Sequence, residues 1–272
     1  MEMNRKALNE KRINEFQLNI LAWYKLNKRD FPWRETTDPY YILVSEVMLQ
    51  QTQAMRVIPY YEKFIIKFPA IKDLALAKNT EVLKIWSGLG FNNRAIRLKE
   101  IAITIQNEFK GFFPKQSEQL LALKGIGIYT AAAILAFAFN KKVAVIDTNI
   151  RRVLIHELHL PENISQKHLS EIALEVIPVD KSRIWHNALM DYGALAATAR
   201  KTKIKSKSTQ STFKGSEREV RGKILKLLLE KKNVKKTDLV AFFSHKNLEE
   251  IILRMKADGL LSEKKGVLSI KM

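Results

Sequence analysis

Apolar residues recur at helical spacing along most of the chain. In residues 9–27, Ile13, Phe16, Ile20 and Trp23 fall at intervals that predict an amphipathic helix. Asp30-Phe31-Pro32-Trp33-Arg34 interrupts it, and Asp38-Pro39-Tyr40 opens the next. The same reading predicts helices over 40–51, 53–68, 71–76, 79–86, 92–109, 117–123, 128–139, 148–157, 165–175 and 183–196. Gly, Pro and Asn punctuate them at Gly88-Leu89-Gly90, Gly111-Phe112-Phe113-Pro114, Gly125-Ile126-Gly127 and Pro161-Glu162-Asn163. No β-rich stretch precedes residue 260, and no internal repeat is visible.

Residues 200–215 are basic, rich in Ser and Thr, and aperiodic, which reads as a linker. Helical spacing resumes over 216–231 (Val220, Ile224, Leu227, Leu228), 236–243 and 247–258. A hairpin is expected after them: Leu260-Leu261-Ser262, a Lys264-Lys265-Gly266 turn, then Val267-Leu268-Ser269-Ile270. Three helices and a hairpin resemble a winged helix.

At 272 residues and 46% apolar content, the chain has room for a sizeable core in one large domain or several small ones. The formal charge of +19 makes nucleic acid the leading partner, against a merely solvated or membrane-surface charge. Residues 200–272 hold 20 Lys/Arg against 8 Asp/Glu, a net of +12, while residues 1–199 carry a net of +7. The excess therefore points to a basic C-terminal module. The absence of cysteine excludes disulfides and any Cys-ligated zinc or iron–sulfur site. The five histidines (156, 159, 168, 186 and 245) show no metal-ligand spacing, so no metal is expected. No apolar run approaches the roughly 18 residues of a membrane span. The segment Met1-Glu2-Met3-Asn4-Arg5-Lys6 lacks the apolar centre of a signal peptide. The expectation is a soluble intracellular protein, cytoplasmic or on the nucleoid.

Three segments carry candidate chemistry. In Val44-Ser45-Glu46-Val47-Met48-Leu49-Gln50-Gln51-Thr52, one carboxylate lies among Ile42, Leu43, Val44, Val47, Met48 and Leu49. Lost solvation should raise its pKa and let it hold a proton near neutrality. The amides and hydroxyl that follow suit contact with bases. In Leu123-Lys124-Gly125-Ile126-Gly127-Ile128-Tyr129-Thr130, a helix stops at a Gly-x-Gly turn and another starts at once. That is the pattern of a helix–hairpin–helix, which grips a DNA phosphate through backbone amides. Its carbonyls can also hold a monovalent cation over 124–129, and an ordinary glycine-capped helical hairpin is the plain alternative. In Val143-Ala144-Val145-Ile146-Asp147-Thr148-Asn149, Asp147 ends an apolar run and precedes a helix, which is also what an N-cap does. Capping amides would keep such a carboxylate ionised, as a stabiliser of a cation must be.

Together these segments resemble the helix–hairpin–helix superfamily of DNA glycosylases, and within it the MutY-type adenine DNA glycosylases. The resemblance is carried by Ser45 to Gln53, Phe31-Pro32-Trp33-Arg34, Trp86-Ser87-Gly88-Leu89-Gly90-Phe91, the Gly-x-Gly turn, Asp147 to Val153, and Asn187 to Ala194. It runs over roughly residues 15–200. It implies a mainly α, two-lobed fold. Residues 1–32 and 142–199 would form a helical lobe with the catalytic Asp. Residues 33–141 would form a six-helix barrel lobe with the helix–hairpin–helix, 200–215 a basic linker, and 216–272 a winged-helix-like domain. It also implies excision of adenine mispaired with 8-oxoguanine or guanine, flipped out of double-stranded DNA into a pocket.

By that resemblance, Glu46 protonates N7, Asp147 stabilises the oxocarbenium ion and Asn149 helps place the water. The logic is that of two carboxylates in unequal environments. Tyr129 stands where lyase members carry a Schiff-base lysine, which implies a monofunctional enzyme. Gln51 would wedge into the vacated space, Gln50 and Thr52 would meet the opposite strand, and Phe91 would stack into the duplex. Leu89, Gly125, Gly127 and Thr130 complete the implied DNA contacts. Arg29, Trp33, Arg34, Leu49 and Asn187 match positions around the adenine pocket, though Trp33 can equally be core, Arg29 and Arg34 solvated, and Asn187 a cap.

Two departures stand out. MutY enzymes usually carry a four-cysteine cluster beginning where Ala197 stands, and its DNA contacts would pass to the basic segment 200–207. The roughly 60 residues after the linker are too short for the usual Nudix-like reader of the oxidised guanine, so none is expected there, and Phe243-Ser244-His245 only echoes a short piece of it. A monomer acting on mismatched duplex is expected, with no cofactor. Thymine or uracil removal from G mismatches, or non-catalytic DNA binding, are the alternatives.

Overall fold

The computed structural model describes residues 9–205, 212–243 and 247–271. The chain runs through helices α1 (Glu10–Asn27), α2 (Pro39–Leu49), α3 (Ala54–Lys67), α4 (Ile71–Leu76) and α5 (Asn79–Trp86). It continues through α6 (Asn93–Glu108), α7 (Ser117–Ala122), α8 (Ile128–Phe137), α9 (Thr148–Glu157), α10 (Gln166–Glu175), α11 (Ser182–Leu195) and α12 (Ala199–Thr202). The C-terminal residues form α13 (Glu217–Lys231), β1 (Asn233–Lys235), α14 (Lys236–Phe242), α15 (Leu248–Ala257), β2 (Leu261–Lys264) and β3 (Val267–Ile270). Each helix expected from spacing is present, with ends within two residues of the expected ones.

Three short elements depart from expectation. Pro32–Arg34 forms a single 3-10 turn. Residues 199–202, at the edge of the expected linker, form α12, because Thr198 caps the turn and Ile204 beyond it is buried. The remainder of that linker over 206–211, and Ser244 and His245 of the Phe243-Ser244-His245 echo, lie outside the described residues. A strand precedes residue 260 after all. β1 pairs antiparallel with β3, Val234 opposite Leu268, and the sheet order is β1-β3-β2. Three residues with only Val234 buried are too short for alternation to be read.

Contacts divide the chain into two compact units. Of the described residues, the first comprises 9–42, 115–121 and 127–205. Phe16, Ile20, Val153, Leu154, Trp185 and Leu189 lie in its core, Phe16 meeting Trp185 edge-on at 5.3 Å. There α11 packs on α1 and α9. The approach to α9 depends on Gly193, where a Cβ would stand 2.8 Å from Asn149 Cβ and 2.9 Å from its carbonyl oxygen. No larger residue fits without moving the start of α9.

The second unit comprises, of the described residues, 43–114, 122–126, 212–243 and 247–271. Helices α3 to α6 bury Phe64, Leu74, Trp86, Leu98 and Ile105. Asp73 and Glu81 accept the N–H of Ala70 and Lys78 and so begin α4 and α5. The C-terminal helices and strands enclose Ile224, Leu228, Leu239, Ile251, Met255 and Leu268, in the element order of a winged helix. They are joined to the rest of this unit: Asn79 Nδ2 donates to the Lys271 carbonyl at 2.8 Å, and Lys99 Nζ donates to Asn79 Oδ1 at 2.8 Å.

Candidate active-site elements

In α2 almost every side chain is apolar, and Leu43, Val44 and Met48 are fully buried. Glu46 lies among them with 7% exposure. The helix ends after Leu49, which is half-buried, and the chain emerges as exposed Gln50 and Gln51 and half-buried Thr52. Gln51 has φ 55°, the left-handed conformation that often ends a helix, here without a glycine.

What holds this exit is Arg94, a residue the sequence analysis did not single out. Its guanidinium is buried and donates to the carbonyls of Val47 (2.9 Å), Met48 (2.9 Å), Gln50 (2.6 Å) and Gly90 (3.0 Å). It also reaches Thr52 Oγ1 at 3.3 Å and lies over the Phe91 ring, 5.3 Å from its centroid. One cation thus satisfies the open carbonyls of α2 and pins the loop that carries Phe91, itself at φ 47°. Burial lowers the Arg94 pKa to about 10, which leaves it charged at neutral pH. The missed signal was its place in the first turn of α6, where a cation opposes the helix dipole and so needs another reason to be there. Leu89, in the same loop, is buried at 4% exposure.

The turn after α7 bends at Gly125, whose φ of 103° bars other residues, and closes with Ile126 N–H on the Leu123 carbonyl at 3.0 Å. Lys124 and Gly125 are exposed. The next helix, α8, starts at exposed Gly127, which offers its first-turn amides no capping side chain. Tyr129 is half-buried there, while Thr130 is buried at 4% exposure.

In the first unit Asp147 caps α9. Its Oδ1 accepts the Ile150 N–H at 2.7 Å and its Oδ2 accepts Asn149 Nδ2 at 3.0 Å. Asn149 Oδ1 in turn accepts from Arg152 at 3.2 Å. Burial nevertheless pushes the Asp147 pKa up, against the pull of the Ile150 amide, Asn149 and Arg152. The amides do pull toward the ionised form, as expected of a cap, but loss of water outweighs them. The run leading to it is anchored by His186, 1% exposed, whose Nε2 accepts the Val145 N–H at 3.2 Å while Nδ1 meets the Ser182 carbonyl at 2.7 Å. Burial depresses the His186 pKa to about 4, so the ring is neutral, with its proton assigned to Nδ1.

Arg29 and Arg34 converge on Asp191, a fully buried carboxylate of α11 in the same unit. Arg34 grips it with two bonds of 2.7 and 2.8 Å. Arg29 adds its backbone N–H at 2.9 Å and Nε at 2.7 Å. Burial would raise the Asp191 pKa, but the bonds and charge of Arg34, then those of Arg29, overcome it and hold the pKa low. Both guanidiniums lie 5.0 Å from the centroid of Phe31, which stacks on buried Trp33 at 4.9 Å. Asn187, half-buried, precedes Asp191 by one turn of α11. Asp191 was legible by the signal that marked Glu46: a lone acid between Ala188-Leu189-Met190 and Tyr192.

Where an iron–sulfur cluster would begin, Ala197 lies in the core at 4% exposure, its carbonyl accepting from Arg152 at 3.4 Å. No thiolate exists to hold a cluster. Among the described residues no group of three or more His, Asp or Glu could hold a metal ion. No helix among them is long and apolar enough to cross a membrane.

Residues 44–179 match the model for HhH-GPD superfamily base excision DNA repair proteins. A thymine/uracil-DNA glycosylase of Methanothermobacter thermautotrophicus is 37% identical over 201 residues, covering 72% of this chain and 90% of that protein. An adenine DNA glycosylase of Mycolicibacterium smegmatis is 35% identical over 233 residues, covering 78% and 79%. A Buchnera aphidicola adenine DNA glycosylase is 37% identical over 204 residues, covering 73% of this chain, which spans 58% of that relative's length. Among solved structures, a thermostable thymine-DNA glycosylase superposes with TM-score 0.68 at 36% identity, over 71% of this chain and 91% of that one. Endonuclease III trapped on DNA shares the fold, with TM-score 0.62 at 18% identity, over 75% of this chain and 91% of that one.

Proposed function

Because the chain belongs to the HhH-GPD superfamily of base excision DNA repair proteins and is a DNA glycosylase, we propose that it releases adenine mispaired with 8-oxoguanine or guanine by hydrolysis, with no lyase step. The adenine leaves the stack, as base chemistry in a duplex requires. Glu46 delivers a proton to N7, so that adenine departs as a neutral base. Asp147 remains ionised and stabilises the positive charge that develops on the sugar. Asn149, bonded to Asp147, orients that carboxylate and the attacking water. Tyr129 stands where a lyase would need an amine, and it cannot form a Schiff base. The exposed amides at Gly125 and Gly127 hold a phosphate, and the turn's carbonyls accept a monovalent cation. Gln50, Gln51 and Thr52 enter the duplex with Phe91. The enzyme works as a monomer on intracellular double-stranded DNA.

The observation that carries this reading is Glu46, buried in an apolar helix that ends directly in Gln50-Gln51-Thr52. A carboxyl group placed there suits a purine, whose ring nitrogen can be protonated before the bond breaks. Thymine or uracil removal from G mismatches is the second reading, favoured by the 37% identity to the Methanothermobacter enzyme. Single-turnover release from A:8-oxoG, A:G, T:G and U:G duplexes decides between them. Adenine release is expected, and thymine or uracil release without adenine would replace the first reading with the second. Glu46→Gln is expected to cut release at least ~100-fold while duplex binding survives. Undiminished release would remove Glu46 from its role.

A further inference from the structure

At the C-terminal end of α8, three segments of the first unit are bound to one another and bring Lys115, Lys141, Lys142 and Lys181 together. Asn140 is the link. Its Nδ2 donates to the Asp180 carbonyl and its Oδ1 accepts the Arg183 N–H, both at 2.8 Å. Arg183 commits its guanidinium to the last carbonyls of α8, that of Phe137 at 2.5 Å and that of Ala138 at 2.9 Å. Lys141 donates to the Lys115 carbonyl, and the Lys115 ammonium lies 5.5 Å from the centroid of Phe139. Asn140 and Asp180 have φ of 51° and 56°, a left-handed conformation that suits these two residue types and that the bonds between the segments hold. The platform is thus preformed.

Its surface is cationic and partly apolar. All four lysines are exposed, Val179 is 78% exposed and Phe139 is half-buried. Residues 139–142 and 178–183 hold one carboxylate, that of Asp180. Among the described residues, none of the four lysines forms an ion pair with a carboxylate. A helix C-terminus favours a nearby cation, which accounts for a lysine in the loop after α8 but not for those brought from two other segments. Like charges gathered on a fixed surface repel one another, and an anionic partner relieves that repulsion.

The place of the platform says what that partner is. The amides that the reading above turns toward a DNA phosphate stand at the opposite end of α8. First-turn N–H groups point along the axis toward the anion they hold, so the helix runs away from the duplex. Ten residues of helix put the platform about 15 Å behind that contact. We propose that it docks an acidic segment of another protein while the duplex is bound. Carboxylates meet the lysines, and an apolar side chain rests against Phe139 and Val179. Those two residues favour a polypeptide over a second duplex, whose outer surface is phosphate and sugar. The orientation rests on the phosphate contact proposed for the hairpin.

The test uses the full-length protein, alone and saturated with mismatch-free duplex, and a fluorescent peptide in which glutamates flank a leucine. A peptide with glutamine in place of each glutamate is the control. At low salt the acidic peptide is expected to bind at least ~10-fold more tightly than the control, and to bind the duplex-saturated protein within about 3-fold of the protein alone. Lys141→Gln, Lys142→Gln and Lys181→Gln together should weaken the peptide about 10-fold, a factor of roughly 2 to 3 for each exposed ion pair. Duplex affinity and its salt slope should stay as they are in that variant. Lys264→Gln with Lys265→Gln, a comparable loss of charge in the other unit, should leave the peptide bound. Thermal unfolding checks that both variants are folded. Displacement of the peptide by duplex, equal binding of the two peptides, or a triple variant that keeps its peptide affinity would overturn the proposal. So would a lower salt slope in the triple variant, which would assign the platform to DNA. An error in the assignment of adenine appears in the mismatch panel and leaves these outcomes untouched.

Discussion

In the role proposed for it Asp147 must be ionised, yet burial pushes its pKa up against three groups that pull it down. One of them, Asn149, bonds the carboxylate directly at 3.0 Å. Asn149→Ala should therefore raise that pKa further. Activity is lost as pH falls through the pKa of a group that must be charged, so the acid limb of the pH–rate profile should move to higher pH. Single-turnover rates across pH would show this, and a lower plateau with an unmoved limb would restrict Asn149 to placing water. At this scale the sequence was most informative where a polar group broke a local pattern. Glu46 announced itself as a lone acid in an apolar run. Asp191 and Arg94 carried comparable signals, but their meaning lay with partners elsewhere in the chain.

Each element is readable to the extent that its length allows a period to be seen. The longer helices were expected nearly to their ends, whereas α12 and β1, of four and three residues, were not. How an element is held is a different matter. The exit of α2 depends on Arg94 bonding five carbonyls at once, those of Val47, Met48, Gln50, Gly90 and Phe91, which needs the planar fork of a guanidinium. Arg94→Lys should destabilise the fold by on the order of 3 kcal/mol, through carbonyls left unbonded, and weaken mismatch binding. Urea unfolding and duplex titration would measure both, and wild-type values in each would show that a simple charge suffices. The run before Asp147 depends likewise on neutral His186. Its depressed pKa means that the stability it contributes is complete above pH 6.5 and is lost as pH falls toward about 4. The loss should reach on the order of 3 kcal/mol. His186→Gln should remove that part of the pH dependence in urea unfolding, and parallel curves for the two proteins would count against it.

For the whole chain the dominant quantity is the charge of +19, concentrated toward the C-terminus. Exposed Lys264 and Lys265 lie at the β2–β3 turn of the basic module. Replacing both with glutamine should lower the slope of log affinity against log salt by up to about 2 if each meets a phosphate. An unchanged slope would take that turn off the DNA. The sequence by itself determined the helices, the place of Glu46 and Asp147, the Gly-x-Gly turn and the basic excess, because spacing, capping and charge act over a few residues. Only the tertiary structure decided that Arg29 and Arg34 are committed to Asp191, the latter pair 157 residues apart, and that Arg94 holds the end of α2. It also decided that the described residues from 212 onward belong to the same unit as 43–114 and bring Arg218 to Phe91. A buried ion pair or a shared cavity is made by groups distant in the chain, and no local pattern records which of many available partners will satisfy them.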